Sequence, residues 1–195
     1  MKILRFFARA RTSLILIAFL FVASGVQIIF GFSSDLVLLP WTILKHNPLQ
    51  LYRLFTYPLA HSDLLLVIEV SLSLLLSGLV IEPRLERRNI LRIIIGSSIL
   101  GALTFVLLSV VTFEFGGLAG AGSIAWGYFG ALFACWLRGK HTFARLEKIY
   151  TLLVFIGVVF GALRFPSGFI TACLIFVFVL RVKRRVEQEI GAEHM

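Results

Sequence analysis

The 195-residue chain is 59% hydrophobic with a mean hydropathy of +0.97, which excludes a water-soluble domain, because such a domain must keep most of its surface polar. Its net charge of +9 and pI near 10.3 would suit a nucleic-acid partner, but the basic residues stand in blocks between apolar runs. That placement points to membrane topology and anionic lipid heads, and away from nucleic acid.

A bilayer core roughly 30 Å thick takes about 20 apolar residues per helix. Residues 1–11 form a basic N-terminus with Lys2, Arg5, Arg9 and Arg11. The first apolar run goes from Thr12 to Phe32 and is longer than a usual signal core, so it is expected to be a retained anchor. The next thirty or so residues, Ser33 to Asp63, mix Leu36, Val37, Leu38, Leu39 and Trp41 with Pro40, Pro48 and Pro58. Such a segment is expected to lie in the outer interface with its aromatic residues at headgroup level, or else to pack on the bundle.

The second run goes from Leu64 to Ile81, the third from Ile93 to Phe113 and the fourth from Gly117 to Leu137. Gly116, Gly117, Ala119, Gly120, Ala121, Gly122, Ser123, Gly127 and Gly130 make the fourth rich in small residues, which let helix backbones approach closely in lipid. It should be central. Gly168 and Ala172 suggest that the sixth span packs against it. The stretch from Ile149 to Val182 is too long for one span, and Arg164 with Pro166 divides it into two short helices.

Sixteen of the nineteen basic residues fall in four places: before the first run, after the second (Arg84, Arg87, Arg88, Arg92), after the fourth (Arg138, Lys140, Arg145, Lys148) and after the sixth (Arg181, Lys183, Arg184, Arg185). Only Lys45, Arg53 and Arg164 lie elsewhere. The expected fold is an all-α integral membrane bundle of six helices over residues 12–182, with the N-terminus and the tail 183–195 in the cytoplasm. Cys135 and Cys173 sit within spans and suggest no disulfide framework. No metal cluster, phosphate loop or dinucleotide motif stands out, so no cofactor or metal is expected. The partner implied at once is the lipid bilayer, and the oligomeric state stays open.

Glu69 is a carboxylate inside the second run, where insertion costs about 2.5 to 3.5 kcal/mol, so it should face the bundle or a water-filled cavity. A neutral, hydrogen-bonded Glu69 is the preferred reading. The functional readings are a group that binds a polar part of a client helix, or a proton relay in a small transporter or channel subunit.

From Leu51 to Lys140 the chain resembles the core of the rhomboid intramembrane serine proteases. The residues that carry this are Tyr52-Arg53 with Phe55-Thr56, His61, Glu82 and Arg84, Gly116-Gly117-Leu118-Ala119-Gly120 with Gly127, and Trp136-Leu137-Arg138-Gly139. Gly168 falls in the family's H-x-x-G stretch of the sixth span. The resemblance implies a six-helix rhomboid-like fold in which a serine of the fourth span is activated by a histidine of the sixth.

Neither group is found here. One register places Ala119 at the nucleophile position; a second places Gly122 there, with Ser123 one residue late and rotated by about 100°. Phe165 stands where the base should be. The family's second-span histidine and asparagine align with Leu66 and Val70. The histidines of the chain are His46, His61, His141 and His194, and His61 is expected to anchor a loop rather than act as a displaced base. The resemblance thus implies a rhomboid-like pseudoprotease that binds transmembrane segments of client proteins. The alternative is a protease using Ser123, with His61, in altered geometry. The expected location is the cell (inner) membrane of a prokaryote.

Overall fold

The computed structural model describes residues 10–31, 33–40, 51–61, 63–112, 117–139 and 143–193, with backbone alone at 33–34, 163 and 182–193. Lys2, Arg5, Arg9, Trp41, Lys45, His46, Pro48, Gly116, Lys140, His141 and His194 lie outside the described residues. The elements that matter are α1 (Arg11–Phe30), α2 (Leu64–Ile81), α3 (Arg87–Thr112), α4 (Gly122–Gly139), α5 (Arg145–Arg164) and α6 (Pro166–Glu193). Three helical stretches, Arg11–Phe30, Leu64–Arg84 and Arg87–Thr112, are long and apolar enough to cross a membrane.

Local chemistry sets the helix ends. α1 stops at Gly31, whose φ of 72° lets its N–H reach the Gln27 carbonyl at 2.8 Å. α2 starts at Asp63, whose side chain accepts from the Leu65 N–H at 2.9 Å. Pro166 opens α6 at a position where the missing N–H costs nothing, and this divides α5 from α6 where Arg164 and Pro166 were expected to.

Two boundaries differ from the sequence reading. α3 begins at Arg87 rather than Ile93, because arginine is a good helix former and carries its charge to the interface on a long stem. α4 begins at Gly122 rather than Gly117. Leu118 instead exchanges two backbone hydrogen bonds of 2.9 Å with Leu38, and Gly120, at φ 81°, donates to the Tyr57 carbonyl at 2.9 Å. Leu38 is fully buried, so the described part of the α1–α2 connection packs on the bundle.

α4 is central and touches α2, α3, α5 and α6. It lies closest to α6, because a Cβ at Gly130 would overlap the Ala172 carbonyl. The outer faces of α1, α2, α3 and α5 carry exposed apolar side chains such as Ile29, Leu65, Leu107 and Phe160, the surface that lipid requires.

One end of the bundle is tied together by charged side chains. Glu82 accepts from the backbone N–H groups of Thr12 and Ser13 at 2.9 and 2.7 Å and from the Ser13 hydroxyl at 2.6 Å, so it caps α1 from the end of α2. Arg84 pairs with Glu147 at 2.8 Å and lies 4.1 Å from the Phe143 ring centroid. Arg138 donates to the Val179 carbonyl at 3.2 Å. These contacts bring the start of α1, the α2–α3 turn, the α4–α5 turn and the later part of α6 to the same end.

Candidate functional site

At the other end of α4 the helices border an open cavity of about 440 Å³. Leu66, Glu69 and Val70 of α2 line one side, Gly157 and Gly161 of α5 another, and Phe165, Ser167 and Gly168 lie at the α5–α6 break. Ala119, Gly122, Ser123 and Trp126 form the wall at the start of α4. The Ser77–Tyr150 hydroxyl contact at 2.8 Å and the Arg84–Glu147 pair join α2 to α5 on the side away from the cavity.

A Cβ at Gly122 would meet nothing within 4 Å, so this position opens directly into the cavity. Ser123 was expected to face away from it. It borders the same cavity, with its side chain packed beside Gly101 of α3. The Ser123 hydroxyl is nonetheless engaged: it lies 2.5 Å from the Tyr57 hydroxyl, which in turn donates to the Ser98 carbonyl at 2.7 Å. Tyr57 has one proton, so its oxygen accepts from Ser123. Burial pushes the Tyr57 phenol up to about 12, partly offset by the Ser123 hydrogen bond.

His61 is buried and does not stand free as a base. Its Nδ1 lies 3.2 Å from the Leu59 carbonyl, and its Nε2 accepts from the Ala121 N–H at 3.3 Å. Gln27 fixes the same turn, donating to the Leu59 carbonyl and accepting from the His61 N–H at 3.1 Å. This arrangement needs the neutral imidazole. Burial lowers the His61 pKa, with the Leu59 hydrogen bond acting in the opposite sense.

The folded chain therefore resists a proton that the unfolded chain accepts below about pH 6.5. Stability from this site is complete above that pH and declines as the pH falls. Thermal unfolding in micelles between pH 5 and 8 should show a smaller acid loss in His61→Gln than in wild type; equal slopes would contradict the buried neutral ring.

The remaining motif residues do structural work. Arg53 donates to the Val37 carbonyl at 2.7 Å and holds the α1–α2 connection against the bundle. Gly117 packs beside Val37 and Leu39, Gly120 turns the chain beside His61, and a Cβ at Gly127 would strike Ser97 of α3. Gly168 leaves room for the Trp126 indole. Glu82 and Arg84 tie helices at the opposite end and do not reach the cavity. Glu69 does reach it. Sequence reasoning missed Tyr57 and Trp126; the only available signal was that a buried phenol or indole needs a polar partner.

No metal-holding group of three or more His, Cys, Asp or Glu exists among the described residues. Comparison with curated proteins gives no match, and neither does comparison with solved structures. A family model described as Rhomboid domain matches residues 48–172, well over half the chain and all the residues that line the cavity. The chain is therefore a membrane protein that belongs to the rhomboid family.

Proposed function

We propose that this chain is a six-span scaffold, with residues 12–182 as the membrane domain and residues 1–11 and 183–195 cytoplasmic. It holds transmembrane segments of other membrane proteins in the cavity without cutting them. The threading is supported by Arg84, Arg87, Arg138 and Arg145, which all belong to the polar end described above. On this reading the cavity opens toward the outer side of the cell membrane.

The observation that carries the proposal is that Ala119 and Gly122, the two candidate nucleophile positions, and Phe165, the candidate base position, border one cavity and none of the three carries an oxygen or an imidazole on its side chain. Peptide cleavage by a serine needs a base within about 3 Å to take its proton. The Ser123 proton is directed at a neutral phenol that has already committed its own proton to Ser98. That oxygen has little basicity. Both ring nitrogens of His61 are engaged by backbone groups. Leu66 and Val70, where the family carries polar oxyanion partners, offer no side-chain donor to an oxyanion.

A protease using Ser123 remains the second reading, favoured by the fact that Ser123 borders the cavity. One experiment separates the two. Purified protein in liposomes is incubated with a model transmembrane substrate, and wild type is compared with Ser123→Ala. The scaffold reading expects no cleavage by either protein and photo-crosslinking of the intact substrate to both. Cleavage by wild type that disappears in Ser123→Ala would establish the protease.

A further inference from the structure

Glu69 lies five residues into α2, about 8 Å along its axis and so below the outer interface on the proposed threading. Its side chain is exposed and borders the cavity, and no described residue forms an ion pair or hydrogen bond with the carboxylate. Most of the surrounding wall is apolar or glycine, with Leu66 and Val70 on the same helix and Gly157 and Gly161 opposite, and its hydroxyls, Ser73, Ser123 and Ser167, make no hydrogen bond to the carboxylate. A carboxylate at this depth is costly unless a cation or donor meets it.

We propose that Glu69 selects the occupant of the cavity, which is a transmembrane segment carrying a lysine or arginine about five residues below its outer end. This rests on the scaffold reading above and names the chemistry of its client. A cationic side chain in a client helix carries the same cost in lipid as Glu69 does here, and pairing the two removes both at once. Charge complementarity therefore favours a basic segment over a wholly apolar one. An apolar segment gains packing on the glycine-lined wall and nothing from the carboxylate. A cation closer to the middle of the client helix would miss Glu69 by a turn or more.

The test uses the full chain in phosphatidylcholine liposomes with three synthetic leucine-rich transmembrane helices. They carry lysine, aspartate or leucine at the fifth residue from the outer end, and each bears a diazirine-leucine. Wild type should capture the lysine helix about tenfold better than the leucine helix, as expected for one buried ion pair in lipid. Glu69→Gln should erase that preference, and Glu69→Lys should turn it toward the aspartate helix. Equal capture of lysine and leucine helices by wild type, or a lysine preference that survives Glu69→Gln, would overturn the selection while leaving the scaffold intact. Capture of no helix by any form of the protein would overturn the scaffold reading itself. Melting temperatures measured for each variant separate lost selection from lost folding.

Discussion

Replacing Glu82 with alanine is expected to cost about 3 kcal/mol of stability, the sum of a lost helix cap and lost charge-assisted hydrogen bonds. The backbone N–H groups of Thr12 and Ser13 belong to the first turn of α1, where no intrahelical carbonyl is available to accept them. Thr12 is 8% exposed and Ser13 is fully buried, so water cannot readily replace the carboxylate. The negative charge also faces the positive end of the α1 macrodipole. Glu82→Gln keeps one acceptor oxygen and loses the charge, so it should cost about half as much. Unfolding by increasing sodium dodecyl sulfate in mixed micelles measures both. If Glu82→Ala unfolded at the wild-type detergent fraction, the cap would not hold α1 to α2.

That role illustrates what the sequence could and could not disclose. Hydropathy and charge blocks mark where helices run, since both depend on composition alone, and the break at Arg164 and Pro166 follows from proline's missing N–H. The family likeness flagged Glu82 and Arg84 as a pair, but their partners lie 63 to 70 residues away and have no local signature. The start of α4 was misplaced for a related reason. Gly117 to Ala121 is as apolar and small as the helix that follows, and only the positive φ of Gly120 and the pairing of Leu118 with Leu38 show that it is not helical.

The cavity itself was invisible in the sequence. Its walls come from α2, α3, α4, α5 and the α5–α6 break, and its most telling contact, Ser123 to Tyr57, spans 66 residues. The rotation between adjoining positions shows in the contacts, since a Cβ at Gly122 would meet open space whereas Ser123 packs on Gly101 of α3 and on Tyr57, although both positions border the cavity. By contrast, the expectation that spans four and six pack closely needed only the small residues on each.

The first residue of α4 and its middle should respond oppositely to the addition of one methyl group. At Gly130 a Cβ would overlap the Ala172 carbonyl, and a backbone atom cannot rotate away as a side-chain tip can. Gly130→Ala must therefore push α4 and α6 apart along the closest helix contact in the bundle, at an expected cost of about 3 kcal/mol or more. At Gly122 the same methyl meets open space, so Gly122→Ala should change stability by less than about 0.5 kcal/mol. The added group should instead enter the cavity and reduce capture of client helices, an effect absent from a purely structural glycine. Mixed-micelle unfolding together with the crosslinking yield of the lysine-bearing helix reads both substitutions. A severe folding defect in Gly122→Ala would mean that the start of α4 is packed against something solid, and the opening on which the functional reading depends would not exist.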